Sequence, residues 1–255
     1  GDHQDSEGAD RLQLGLPYGQ DAVIGALAEA NPNLAVAIVS GNAVAMPWID
    51  RVPAVLEVWY SGSEAGNALA DVLFGAVNPS GKLPFTFPVR LEDCSAHSAG
   101  EYPGDGQVVY RDGIFVGYRW IEKERIEPLF AFGHGLSYTT FDIANVQADR
   151  TSLATTGRLR VSADVTNTGG RAGAEVVQLY IGDKLSSQPR PVKELKGLKR
   201  YTSRPARAEP SRSKSTPGCS PVTTMRKGSG ALNPVNSPLM SAPRRTTSAE
   251  PSISC

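Results

Sequence analysis

The sequence predicts an α/β fold with a mostly parallel sheet over the first half of the chain, then a small antiparallel β module, then a tail without regular structure. Three observations predict it. Before Phe130, short apolar runs alternate with segments of helical period, the βαβ pattern of a parallel sheet. After Phe141, apolar and polar residues alternate with period two, as half-buried antiparallel strands do. From about Tyr201, Ser, Thr, Pro and Arg dominate and no period is visible. Such a segment cannot bury enough apolar surface to offset its ordering entropy.

The chain opens on GDHQDSEGADR, Gly1 to Arg11, which is polar, acidic and rich in glycine. It does not look like a protein start, since no initiator methionine precedes it. In open α/β sheets, ligands bind at loops off the C-terminal ends of strands, and this segment reads as such a loop with its strand cut off. His3, Asp5, Glu7, Asp10 and Arg11 crowd within it; a solvated loop is the usual fate of such a charge cluster. Asp21 to Ala30 has apolar residues at Val23, Ile24, Leu27 and Ala28, a helical period ended by Pro32. Leu34 to Val39 is a short apolar run, as expected of a strand covered on both faces, and Val52 to Trp59 reads as the next strand. Ser63 is the expected cap of a helix reaching about Phe74, with Glu64 in its first turn and Gly75 as its left-handed stop.

Lys82 to Phe87 is a short strand carrying a proline, hence an expected edge. Leu91 to Gln107 is a polar, glycine-rich surface loop holding Cys94 and His97, too thin a pair for a metal site. Val108 to Ile121 reads as β, because Phe115, Tyr118 and Trp120 suit a pleated surface. Asp142 to Ala148, Leu159 to Thr166 and Glu175 to Ile181 are the alternating strands of the second module, with a glycine-rich turn over Asn167 to Gly173.

Between the two styles lies FAFGHGLSYTTF, Phe130 to Phe141. Its glycines tolerate backbone angles that side chains forbid, its aromatics bring large apolar faces, and its hydroxyls can hold a turn. The expected role is a packed corner between two domains; a lone histidine between two glycines, His134, is more often a structural donor than a base. Length bounds the chain to one large or two modest domains: 255 residues, 40% hydrophobic. Lys plus Arg balance Asp plus Glu at 26 each, which implies no strong pull toward nucleic acid or an acidic membrane. Three widely spaced cysteines form neither a disulfide framework nor a metal pattern. No cofactor is implied, and no apolar run reaches the length of a membrane span.

FGHGLSYTTF resembles the signature that closes the second domain of glycoside hydrolase family 3, which includes many β-glucosidases and β-xylosidases. Further segments are similar in the expected order. They are SEGADR (Ser6 to Arg11), WYSGSEAGNALADVLFGAVNPSGKLPFTFP (Trp59 to Pro88), GIFVGYRW (Gly113 to Trp120), NTGGRAGAEVVQLYI (Asn167 to Ile181) and RPVKELKGLKR (Arg190 to Arg200). The resemblance covers about residues 1 to 200. It implies a partial (α/β)6-type sandwich over 1–132, a linker signature over 133–141 and a partial fibronectin type III-like β-sandwich over 142–200; beyond it, composition reads 201–255 as a basic low-complexity tail.

It also implies a chemistry. In this family a loop of the second domain often carries the acid/base glutamate over the barrel of the first, and Glu7 matches that residue best. A retaining glycosidase uses two carboxyl groups about 5–5.5 Å apart, one attacking the anomeric carbon and one protonating the leaving oxygen. Asp5 is a weaker candidate for that role; Asp5, His3 and Trp48 are candidate sugar-contacting residues. At Met46-Pro47-Trp48 a stacking platform and a core tryptophan are both open readings. The implied substrate is a β-linked oligosaccharide or an aryl or alkyl β-glucoside, with a β-xyloside as the alternative. A β-N-acetylglucosaminidase is a further reading, and a non-catalytic carbohydrate-binding or docking protein is the reading from another class.

Two departures qualify the resemblance. The family's (β/α)8-type barrel with its nucleophilic aspartate has no counterpart here, so the chain by itself is expected to lack glycosidase activity and to expose strand edges prone to aggregation. The abrupt change near Tyr201 fits a frameshift, or else a genuine basic tail with weak, salt-dependent affinity for polyanions.

Overall fold

The computed structural model describes residues 11–102, 104, 106–152, 158–204 and 222–226. Helix α1, Gln20–Ala30, follows a left-handed Gly19, and Asn31 N–H closes it on Leu27 O. Strands β1, Ala35–Ile38, and β2, Ala54–Glu57, pair in parallel with Val36 opposite Val55. Helix α2, Ala65–Leu73, follows β2. This is the expected βαβ alternation, with one difference of degree. Val36 and Ile38 are buried while Ala35 and Ala37 are exposed, so among the described residues the sheet is covered on one face. Helix α1 likewise buries Gly25 and Ala28 but leaves Val23 and Leu27 about half exposed.

Helix α2 starts differently from its sequence reading. A 3-10 turn over Gly62–Glu64 leads into it, and no side chain caps it; Glu64 instead accepts from Asn67 Nδ2 at 2.6 Å. Gly75 takes a φ of 77°, as a left-handed stop requires.

The stretch 82–87 is not a regular strand. It runs antiparallel beside 130–134, joined by Leu83 N–H to His134 O, Gly133 N–H to Leu83 O, and the reciprocal Phe87–Phe130 pair. Pro84 and Pro88 carry no N–H, so the ladder cannot continue. A short helix α3, Ser95–Ser98, lies in the following loop.

The β reading of 108–121 is overturned. Its end forms helix α4, Tyr118–Glu124, with Ile121 buried. Gly117 sits at φ 57°, ψ −130°, which a β-branched or aromatic residue could not adopt, and this breaks any strand before the aromatic run. Packing then overrides β propensity. Tyr118 stacks on Phe132 at 4.8 Å between ring centres, and Trp120 donates its indole N–H to Asp93 O at 3.1 Å.

The second module holds strands β3, Phe141–Ala148, β4, Arg158–Asn167, β5, Gly173–Ile181, β6, Glu194–Ser203, and β7, Val222–Arg226. They form two antiparallel sheets, β3-β4-β7 and β5-β6. A bulge after Ala144, where Asn145 is left-handed, interrupts the β3–β4 register. Within the segment read as an aperiodic tail, β7 adds a strand to the edge of β4 opposite Arg158–Val161.

One core joins the α/β part: Ala28, Val36, Ile38, Val44, Met46, Trp48, Val52 and Phe87. No helix among the described residues is long and apolar enough to cross a membrane.

Candidate functional site

The parallel pair places its C-terminal ends together, and the chain there is held by polar side chains. Glu57, the last residue of β2, accepts from Trp59 N–H at 3.1 Å and from Ser40 Oγ at 3.5 Å. Ser40 is 3% exposed, and its hydroxyl also meets Asn42 O at 2.7 Å. Trp59 has a left-handed φ of 56°, uncommon for an aromatic residue and a mark of a chain path fixed by its surroundings. Its indole packs edge-on against Phe85 and Phe87, which stack on each other at 5.7 Å.

The first described residues join this same end. Arg11 donates from Nη1 to Ala43 O at 2.8 Å and from Nη2 to Leu14 O at 3.3 Å. Leu14 O also accepts from Ala45 N–H at 2.8 Å. Residues 11–14 are thus laced to the segment that leaves β1, whose Ala43, Val44 and Met46 belong to the core. Arg11 is thereby tied to the segment that leaves the C-terminal end of β1. Glu7, Asp5 and His3 lie outside the described residues.

Trp48 occupies the core position of its two readings. It is 1% exposed, and its indole N–H donates to Asp21 Oδ1 at 2.7 Å; Asp21 Oδ2 accepts from Leu16 N–H at 3.0 Å. An indole buried to this extent has no free face on which a sugar ring can stack. The signal against the platform is the apolar run around it, Ala43 to Met46.

The corner 130–141 is built from backbone and side chains of both modules. Lys82 Nζ is shared between Gly135 O and Glu175 Oε1, both at 2.7 Å. Gln178 donates to Gly133 O at 3.0 Å. Asn78 Oδ1 accepts from Ser137 Oγ and Tyr138 N–H, while its Nδ2 donates to Ala172 O. His134 lies flat on Phe130, ring centres 5.1 Å apart. Burial, aided by the Lys82 charge, holds its imidazole below the ordinary histidine range. The carboxylate of Glu175 and the hydroxyl of Ser137 in the same corner are engaged by Lys82 and Asn78.

Cys94 and His97 do different things. Cys94 lines a small apolar cup with Thr86, Pro88, Trp120 and Ile121, and burial with the nearby Asp93 and Glu92 charges pushes its thiol up. His97 sets its ring edge-on to Tyr102. Sequence reasoning missed Lys82, Glu57 and Asn167. Only Lys82 left a signal, a lysine fixed between Gly81 and an apolar run.

The pattern of the glycosyl hydrolase family 3 C-terminal domain matches residues 1–138. The beta-glucosidase BoGH3A of Bacteroides ovatus is 52% identical over 200 residues, covering 77% of this chain and 27% of the relative. Thermostable beta-glucosidase B of Acetivibrio thermocellus is 48% identical over 200 residues, 78% of this chain and 26% of the relative. Among solved structures, DesR, a beta-glucosidase from Streptomyces venezuelae in complex with D-glucose, superposes with a TM-score of 0.74 at 39% identity, covering 89% of this chain and 31% of DesR. The chain thus spans about a quarter of the length of these curated relatives. With the fold, the order of the motifs and these matches in agreement, the chain belongs to glycosyl hydrolase family 3, through that family's C-terminal domain.

Proposed function

We propose that this chain serves as the acid/base-bearing part of a retaining exo-β-glucosidase acting on terminal β-glucosyl residues. The observation that carries the reading is 52% identity over 200 residues to a protein named as a beta-glucosidase. In this reading Glu7 protonates the glycosidic oxygen as the bond breaks and then draws a proton from the attacking water. The second carboxylate comes from a barrel domain of the same enzyme. Asp5 and His3 border the sugar. The anchoring of Arg11 at the C-terminal end of the β1–β2 pair supports placing the loop there.

The domain division follows. Residues 1–132 are the α/β sandwich part, 133–141 the linker, 142–200 the main part of a fibronectin type III-like sandwich, and 201–255 a basic tail of which Tyr201–Ser203 continue β6 and Val222–Arg226 form β7. The two antiparallel sheets of the second module support the sandwich reading.

The test uses this chain alone and grafted in place of the matching segment of the Bacteroides ovatus relative. Alone, it should not turn over an aryl β-glucoside, since one carboxylate cannot form and hydrolyse a glycosyl intermediate. The graft should be active, and Glu7→Gln should lower kcat by about 10²–10⁴-fold on substrates with poor leaving groups. On an activated aryl glucoside, whose leaving group departs without the acid, added azide should attack the glycosyl intermediate without base assistance, release the nucleophilic carboxylate, form the β-glucosyl azide and so restore turnover. A Glu7→Gln graft with unchanged kinetics refutes the assignment.

A further inference from the structure

We propose that Tyr60 is a specificity-determining residue of the glucosidase site, its ring the surface on which the aglycone of the substrate stacks. The inference rests on the β-glucosidase reading given above and adds a substrate contact to it. Open parallel sheets take their ligands outside the carboxyl ends of their strands. Just past that end of β2, the chain sends two adjacent aromatics opposite ways. Trp59 turns inward, its indole against Phe85 and Phe87. Tyr60 faces outward and is 64% exposed.

The backbone that presents this ring is fixed on both sides. Val58 N–H donates to Ile38 O at 2.8 Å, which carries the pairing with β1 past the end of β2. Trp59 holds its left-handed φ of 56° while its N–H donates to Glu57. Ser61 Oγ donates back to Val58 O at 2.5 Å. Gly41, in the turn that leaves β1, lies against the ring: a Cβ there would sit 2.9 Å from Tyr60 Cε2 and 3.5 Å from its Cζ and Oη. Bare backbone at 41 is what leaves room for the ring. The surroundings favour an aglycone over the glucosyl ring itself. Holding a glucosyl ring takes polar side chains placed for its hydroxyls, whereas Glu57 and Ser61 bond the chain on either side of Tyr60. An exposed aromatic surface suits a flat, variable group, an aryl ring or the next sugar of a β-linked chain. A tyrosine offers that area at low entropic cost, having only two side-chain torsions to freeze.

Two measurements test it, one on the graft into the Bacteroides ovatus relative and one on the 255-residue chain. In the graft, Tyr60→Leu should raise KM for phenyl β-glucoside about 3- to 10-fold, as loss of one ring contact would. It should leave kcat nearly unchanged, because the contact is the same in the ground and transition states. Methyl β-glucoside, whose aglycone has no face to stack, should keep its KM. Tyr60→Phe retains the ring and should retain the preference for the phenyl substrate. Gly41 has no left-handed φ to strain, so Gly41→Ala acts by displacing the ring. It should weaken the same preference, yet add nothing in the Tyr60→Leu background. In the chain alone, phenyl β-glucoside in the millimolar range should shift the NMR ring signals of Tyr60 more than those of Tyr110, 85% exposed on another loop. An unchanged preference, equal losses for phenyl and methyl β-glucoside, additive Gly41 and Tyr60 effects, or equal shifts at Tyr60 and Tyr110 each overturn the proposal and leave Glu7 in its role. A Glu7→Gln graft with unchanged kinetics instead refutes the assignment of Glu7, whatever Tyr60 does.

Discussion

Replacing Lys82 with Met tests whether the two modules are fastened by charge. Lys82 and Glu175 approach to 2.7 Å with only 13% and 15% of their side chains exposed, and Lys82 also donates to Gly135 O. Breaking one side of a buried pair costs about 3–5 kcal/mol, because the remaining charge is left without its partner. Residual exposure, and the Val176 N–H that Glu175 keeps at 2.8 Å, place this pair at the low end, about 3 kcal/mol. Replacing both partners with apolar residues leaves no stranded charge, so the double variant Lys82→Met/Glu175→Leu should lose less than the sum of the two single losses. The expected coupling is about 2 kcal/mol. With an m-value of about 2 kcal/mol/M, Lys82→Met should lower the urea midpoint by about 1.5 M. Urea titrations of the four proteins, followed by tryptophan fluorescence, give the cycle. A coupling below about 0.5 kcal/mol would refute the argument, since additivity is what independent sites show.

The remaining predictions concern the same joint. Asn167, 1% exposed, accepts from Thr139 Oγ1 and Gly169 N–H and donates to Arg171 O at 2.7 Å; Asn167→Ala strands several of these groups and should cost about 3 kcal/mol, read as a urea midpoint shift. The His134 imidazole should titrate below the ordinary histidine range by NMR, and Lys82→Met should raise it only in part, since burial is the larger cause. Its pKa is depressed in the folded state, so its contribution to stability is present above the unfolded value of about 6.5 and is lost as pH falls through the folded value; His134→Gln should flatten that stretch of the stability–pH curve. Gly135→Ala would drive a methyl into Gly81 O and should destabilise by more than 1 kcal/mol, seen as a lowered Tm.

Much of the architecture is legible because it rests on local signals. The period of Asp21 to Ala30 gives α1, the apolar runs at 35–38 and 54–57 give the parallel pair, and the alternation after Phe141 gives β3, β4 and β5. The failures have physical causes. Aromatics at 115, 118 and 120 fit a strand by propensity, yet Gly117 turns the chain and Tyr118 finds Phe132 and Tyr180, so the segment coils. Trp48 could be read either way because burial is a tertiary property. A pair such as Lys82–Glu175 joins residues 93 positions apart (175 − 82), a separation that no local pattern records. The candidate site divides the same way: Glu7, Asp5 and His3 come from motif alone, as does the reading of Arg11 as a residue that holds its loop in shape, whereas the carbonyls of Ala43 and Leu14 that Arg11 bonds are visible only in the fold.

The corner 130–141 is the most specific stretch of the sequence, and its specificity is explained without catalysis. Gly133 holds a φ of 80°, and a methyl there would strike Gln178; a methyl on Gly135 would strike the Gly81 carbonyl. Both glycines are needed because three chain segments meet at one point: the 78–82 turn, the corner itself, and β5. The aromatics then fill the sides, Phe130 against Phe87 and His134, Phe132 against Tyr118. A histidine flanked by such glycines is fixed by packing on Phe130, where burial depresses its pKa. The same joint links β5 directly to the ribbon that runs back through Phe87 into the core of the α/β part. The β module therefore braces, through one largely covered ion pair and a few side-chain-to-backbone hydrogen bonds, the body to which Arg11 is tied.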